Sequence, residues 1–315
     1  MSKATEANTC NISVVISTFE RVKYVNQLLL SIKEQTFLPN EIIIVDSSNE
    51  NISYNYPAGL KVRKVYSKVA QLTYQRNLGV KNTECDLILH IDDDVILESN
   101  YIENILNTFD KYNDIDVVGG YILNEWDKTN FRNSKVVRLL NYLGFSSGSL
   151  LPGSVSDSGI FIELQGLKKE VGIYKTDFIS GTSFAVRSRV YKKYNHPENI
   201  NKYGGEDKVF SRMISKDFQL VINTNARLIH LFAQSGNRDS DYTSYKNTVR
   251  FNIYIQKNFP KVHSSTVVLR AYYFLLGINL IANGILGLFL LANTKKYINR
   301  ILRGFGYSSG SLSVN

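Results

Sequence analysis

The chain has 315 residues, with 37 Lys and Arg against 28 Asp and Glu, a net charge of +9. That length gives room for one large domain or two small ones, and 43 % hydrophobic residues can bury a sizeable core, which excludes disordered, collagen-like and coiled-coil classes. The two cysteines, Cys10 and Cys85, form no metal-ligand spacing or disulfide framework and point to a reducing compartment, while the positive charge reads as a dispersed, solvated surface that does not favour nucleic acid.

Residues 1–10 are a polar, flexible N-terminus without the apolar stretch of a secretory signal, so the domain behind them is expected in the cytoplasm. From there to about residue 125 short apolar runs alternate with amphipathic stretches, the pattern of strand and helix units. Asn11–Ser17 reads as a first strand, and Val22, Val25, Leu29 and Ile32 follow at helical spacing. Glu41–Val45 is a strand without alternation, as expected where both faces are covered. Lys61–Tyr66 is a weaker strand, Gln71–Lys81 a helix, and Asp86–Ile91 a strand that ends in Asp92-Asp93-Asp94. Ser99 stands at a helix N-cap position before the stripe Ile102, Ile105, Leu106 and Phe109, and Asp116–Tyr121 is a further strand.

Beyond it, the Gly- and Ser-rich stretch 144–159 reads as a long loop or lid. Strand character returns over Phe178–Val186, a helical segment follows near Arg187–Tyr194, and Gly204-Gly205-Glu206-Asp207 opens a helix through Met213. Strands are expected near Leu220 and Leu228. From Ala271 to Thr294 no residue carries a formal charge, and Lys295, Lys296, Arg300 and Arg303 come next. Three readings stay open for this segment: an interfacial or re-entrant membrane element, a span, or a buried core or dimer helix. The basic tail suits anionic headgroups. Residues 138–150 also echo 300–312, both closing on Ser-Ser-Gly-Ser-Leu. This is too short for a repeat architecture.

The chemistry concentrates at strand ends. Three adjacent carboxylates repel unless a cation or several donors compensate, and carboxylate oxygens of this kind suit Mg²⁺ or Mn²⁺ holding a diphosphate. In an open parallel sheet ligands bind outside the carboxyl ends of the strands, where Ser17, Thr18, Glu20 and Asp46 also stand. Taken together with Asp92, Asp93 and Asp94 they suggest a nucleotide crevice, although each is also compatible with an ordinary turn or cap. Arg76 could neutralise the Asp cluster or pair with phosphate. Behind a flexible Gly pair, Glu206 and Asp207 begin a helix, and one of them could accept a proton from a hydroxyl. His230 lies in an apolar run; beside a cation on Asp94 its imidazole would complete the shell and favour Mn²⁺.

The segments Val14–Arg21, Ile43–Ser48, Gln75–Gly79, Ile91–Asp94 and Gly204–Asp207 occur in the order and spacing of family-2 glycosyltransferases, which the chain resembles over residues 11 to 235. The resemblance implies a GT-A-type, Rossmann-like mixed α/β sheet flanked by helices, here followed over 236–315 by a hydrophobic helical region with a basic tail. It implies inverting, metal-dependent transfer from a nucleoside diphosphate sugar, with a UDP-sugar favoured. The C-terminal apolar segment and basic tail, read as membrane-associated, suggest a glycan or lipid-linked acceptor at the cytoplasmic face of a membrane. Position by position, Ser17, Thr18, Glu20, Asp46, Arg76, Asp92 and Asp93 would bind the nucleotide. Asp94 and His230 would hold the metal, Asp207 would be the general base, and Glu206 with Trp126, the single Trp, would meet the acceptor. Ser17 stands where the family often has Pro, and Glu20 where it often has Asn. The Gln-x-x-Arg-Trp motif of processive synthases is missing, which favours single addition. Two rivals are a nucleotidyltransferase, although residues 17–21 contain no Gly for a phosphate-cradling loop, and a catalytically silent membrane-associated scaffold.

Overall fold

Strand β1 (Ile12–Thr18) is buried at every position, as its Ile12 and Val14-Val15-Ile16 require: a strand with apolar side chains on both faces must be covered on both. The computed structural model describes residues 12–126, 151–156, 161–198, 205–233, 241–258, 266–289 and 294–312. After β1 come α1 (Val22–Lys33), β2 (Glu41–Asp46), β3 (Val62–Tyr66), α2 (Leu72–Lys81), β4 (Leu87–Asp92), β5 (Val95–Leu97), α3 (Tyr101–Lys111) and β6 (Ile115–Ile122). Then follow α4 (Leu123–Trp126), β7 (Ile173–Lys175), β8 (Ser183–Arg187), α5 (Ser188–Tyr191), α6 (Glu206–Ile214), β9 (Gln219–His230), α7 (Asp241–Asn258), α8 (Thr266–Phe289) and α9 (Thr294–Leu312).

The described strands form one mixed sheet in the order β3-β2-β1-β4-β8-β6-β9-β5, with β7 also on β9. β1, β2, β3 and β4 pair in parallel. β8 then inserts antiparallel between β4 and β6, and β9 returns parallel to β6. Helix α2 packs on β1 and β2, α1 on β5, and α3 on β6 and β9. The fit of α2 is close: a Cβ on Gly79 would collide with Val15 Cγ1. Val15, Ile43, Val45 and Ile88 form a buried cluster there, joined by Leu78 and Val80 from the helix side.

Several expectations shift in detail. The N-cap of α3 is Asn100 rather than Ser99, and no side chain caps that helix. Residues 178–182 are irregular and strand begins at Ser183. The strands expected near Leu220 and Leu228 are one continuous strand, β9. Residues 1–11, 138–150 and most of 144–159 lie outside the described residues.

The chain divides into two compact units. The first takes the described residues of 1–127, 167–198 and 214–233 and contains the whole sheet. The second takes those of 128–166, 199–213 and 234–315. The units are interleaved along the chain, whereas the sequence reading places a single boundary near residue 235; residues 205–213 group with the C-terminal helices, where Gly205 lies against the Phe251 ring. In the second unit Val249, Ile253, Tyr272, Tyr273 and Leu276 form the core between α7 and α8. Helices α8 and α9 cross at Gly277 and Gly304, where a Cβ on Gly277 would come within 2.5 Å of the Gly304 carbonyl oxygen. Among the described residues no helix is long and apolar enough to cross a membrane.

Candidate active site

Register brings the predicted strand ends together. Ser17 stands beside Asp92, and Thr18 beside Asp46. Gln75 on α2 ties this edge, donating from Nε2 to the carbonyls of Thr18 at 2.8 Å and Val45 at 3.0 Å. Ser17 Oγ is buried and has no hydrogen-bond partner among the described residues. Asp46 is also buried, and both its oxygens are engaged, Oδ1 by the Ser48 N–H at 2.8 Å and Oδ2 by the Tyr54 hydroxyl at 2.7 Å. Burial, together with that carboxylate, raises the Tyr54 pKa. The turn after β1 is held by the Glu20 N–H, which donates to Ser48 Oγ at 2.6 Å. Glu20 has φ 55° and Phe232 φ 54°. Such left-handed non-glycine residues store strain and cluster at functional sites.

At the end of β4 each aspartate meets a different partner. Asp92 Oδ1 accepts from Arg76 Nη2 at 3.2 Å, and the same nitrogen donates to the Gly181 carbonyl at 2.7 Å. Arg76, expected near the diphosphate, is 2 % exposed, and its guanidinium holds Asp92. Its guanidinium also lies over the Phe184 ring. Nearby, Tyr191 OH links His90 Nε2 at 2.7 Å and His196 Nε2 at 3.1 Å. Burial holds both imidazoles well below the ordinary His value, and Arg76 adds to it. Asp93 accepts from Thr18 Oγ1 at 2.7 Å and Arg21 Nη1 at 2.9 Å. Burial nevertheless pushes Asp93 above the usual carboxylate range. At Asp94 burial acts in the same sense but is outweighed by His230, the Ala233 N–H and Arg21, so the group lies below that range.

Asp94 and His230 converge because β5 pairs antiparallel with β9, setting Val95 opposite His230. Asp94 Oδ1 lies 3.3 Å from His230 Nε2, and Asp94 Oδ2 accepts from the Ala233 N–H at 2.8 Å. The far nitrogen of the ring, Nδ1, meets Glu125 Oε1 at 2.6 Å. Burial lowers the imidazole pKa, but the two carboxylates outweigh it and push it to about 10. Asn124 completes the mount through its side chain, which donates to the His230 carbonyl at 2.7 Å and accepts from its N–H at 3.1 Å. Among the described residues no group of three or more His, Cys, Asp or Glu is arranged to hold a metal. The two converging donors, one oxygen and one nitrogen with a carboxylate behind the nitrogen, still have the chemistry of a divalent-metal site with its supporting residue. Glu125 was not among the predicted residues; following β6 to its carboxyl edge would have found it.

Trp126, expected at the acceptor, is 3 % exposed and packs edge-on against Tyr121. It is a packing residue and offers no free face to a ligand. In the second unit, Glu206 and Asp207 occupy the first turn of α6, after Gly205 at φ 79°. Asp207 Oδ1 accepts from the Lys208 N–H at 2.8 Å, and Lys208 Nζ donates to Glu163 Oε1 at 2.6 Å. Burial lowers the Lys208 pKa, but Glu163 and Asp207 outweigh it and hold the ammonium above its ordinary value.

Comparison with known proteins agrees with this geometry. The uncharacterized glycosyltransferase YwdF of Bacillus subtilis is 37 % identical over 101 residues, 30 % of this chain and 36 % of the relative. The glucosyl-dolichyl phosphate glucuronosyltransferase of Haloferax volcanii is 27 % identical over 122 residues, 36 % of this chain and 39 % of the relative. The matches thus span little more than a third of these relatives' lengths. Among solved structures, the mannosyltransferase PcManGT of Pyrobaculum calidifontis, in complex with GDP-Man and Mn²⁺, has a TM-score of 0.57 at 12 % identity, covering 96 % of this chain and 85 % of that one. GalNAc-T7 with UDP, GalNAc and Mn²⁺ has a TM-score of 0.52 at 16 % identity, covering 76 % and 48 %. At these identities the structural likeness speaks for the GT-A-type fold alone. The sequence model of Glycosyl transferase family 2 matches residues 13–194, more than half of the chain and a stretch that includes Asp92, Asp93 and Asp94, so the chain belongs to that family.

Proposed function

We propose that the protein transfers a sugar from a nucleoside diphosphate sugar, a UDP-sugar by preference, to a hydroxyl of a glycan or lipid-linked acceptor, with inversion and one addition per encounter. The observation that carries this reading is the convergence of Asp94 and His230 at the carboxyl edge of the sheet, beside two further aspartates held by Arg76 and Arg21. Solved members of the same fold are complexed with UDP or GDP-Man and with Mn²⁺, which supports the donor class. Asp94 and His230 would hold Mn²⁺ or Mg²⁺, which when bound neutralises charge on the departing diphosphate. Thr18 and Arg21 fix Asp93, Arg76 fixes Asp92, and Glu125 orients the imidazole, so these carboxylates are set before the donor arrives. Ser17 Oγ and Glu20 remain for the nucleoside. Asp207 takes the proton of the acceptor hydroxyl, and Glu206 contacts the acceptor.

One calorimetric series tests this. The protein is titrated with UDP, GDP and dTDP, with and without Mn²⁺, alongside Asp94→Ala and Asp207→Asn. UDP should bind in a Mn²⁺-dependent manner to the unaltered chain and to Asp207→Asn, and that dependence should vanish in Asp94→Ala. With an acceptor found by screening, Asp207→Asn should lose turnover by about 10²-fold or more. Binding of no nucleotide in any condition overturns the reading. Binding without turnover on any acceptor favours a silent scaffold.

A further inference from the structure

The chain's charge is segregated. All 28 Asp and Glu stand at or before Asp241, whereas nine of the 37 Lys and Arg, from Lys246 to Arg303, follow it. The whole net charge of +9 therefore belongs to residues 242–315, and the preceding 241 residues are neutral in sum. The overall composition conceals this segregation, which replaces the dispersed charge expected from it.

The same segment exposes an apolar stripe. On α8, Val267, Ile278 and Ile285 are 73 %, 46 % and 45 % exposed, and at 3.6 residues per turn they fall within about 20° of one another around the axis. Leu275 is exposed beside them. On α9, Leu302, Arg303 and Phe305 are exposed. The inner side of α8 is already filled, since Tyr272, Tyr273 and Leu276 pack with Val249 and Ile253 of α7.

We propose that α8 and α9 form a docking surface for an anionic lipid bilayer, with the α8 stripe lying at the level of the headgroup and acyl boundary and the basic residues among the headgroups. The proposal does not depend on sugar transfer. Exposed aliphatic and aromatic side chains in a segment that carries nine Lys and Arg and no Asp or Glu side chain match an interfacial membrane helix. A nucleic acid would use the cations but not a stripe of Val and Ile. A second copy would set two positively charged faces against each other, which electrostatic repulsion opposes.

The test is flotation of the full chain with phosphatidylcholine vesicles, with and without a phosphatidylglycerol fraction, and with a single-stranded RNA as a separate polyanion. Binding should favour the anionic vesicles by at least about tenfold. Ile278→Glu with Ile285→Glu should weaken it by about tenfold or more while leaving the melting temperature unchanged. Val267→Glu, at the most exposed position of the stripe, is the second variant should the pair unfold. No flotation with either vesicle overturns the proposal. So does flotation that the Glu variants leave intact, and so does RNA binding without vesicle binding. Light scattering that shows the Glu variants only dissolving an oligomer assigns the stripe to a second copy and likewise overturns it.

Discussion

Asp92, Asp93 and Asp94 would repel one another if ionised side by side in a buried turn without compensation. Each has its own partner: the Arg76 and Arg21 guanidinium groups and the His230 imidazole, respectively. The three pairs differ in what holds the partner. Arg76 is anchored a second time by the Gly181 carbonyl and His230 by Glu125, whereas the Arg21 guanidinium bonds Asp93 and lies 3.9 Å from Asp94, with its side chain 27 % exposed. Arg21→Ala would leave the Asp93 carboxylate, 4 % exposed, with the Thr18 hydroxyl as its remaining described donor. A hydrogen bond to a charged group contributes about 1.5–3 kcal/mol, so Arg21→Ala should cost about 2 kcal/mol of folding stability in urea melts. Removing the charge at Asp93 as well should recover much of that loss. Arg21→Ala combined with Asp93→Asn is therefore expected to be more stable than the sum of the two single losses, with a coupling of about 1 kcal/mol or more. Strict additivity would show that Arg21 does not carry the charge of the turn.

The element that sets this edge is α2, which supplies Gln75 and Arg76 and approaches β1 at Gly79. A methyl at that position would collide with Val15 Cγ1, which belongs to a buried cluster. Gly79→Ala should cost about 1–3 kcal/mol by overpacking, and by lifting α2 it should also loosen the Gln75 bonds to Thr18 and Val45. A thermal melt and a UDP titration check both effects; an unchanged melting temperature would mean that the helix can shift freely. The helices and strands of this half were legible because their apolar periods are long and regular: the buried stripe of α3, Ile102, Ile105, Leu106 and Phe109, appears in the sequence as it does in the fold. The antiparallel insertion of β8 was not, since a strand of five residues carries no mark of which distant neighbour it will pair with. The aspartate cluster could be read from composition alone. Glu125 could be placed at that edge by following β6, but its role could not be read, because it arises only when β5 and β9 pair and bring His230 to Asp94.

For the whole molecule, the division into two units makes a claim about cooperativity. Each unit has a core of its own: the sheet with its covering helices in the first, and the cluster between α7 and α8 in the second. Domains with separate cores can unfold in separate steps, so that different probes report different midpoints. The single Trp is a natural reporter, because Trp126 is buried against Tyr121 in the first unit. Gly277 belongs to the second unit, where it lets α8 touch α9, and any side chain there must displace the Gly304 backbone. Gly277→Val adds bulk at this crossing and should destabilise the second unit by about 1–3 kcal/mol. The expected result is a far-UV circular dichroism transition that begins at lower temperature as α8 and α9 come apart, with the Trp126 fluorescence transition unmoved. UDP affinity, measured below the first transition, should stay within about twofold, since a twofold change is well under the 1.4 kcal/mol that a tenfold change represents. If fluorescence and circular dichroism instead shift together, the two cores fold as one cooperative body, and the loss at Gly277 is felt as far as the sheet.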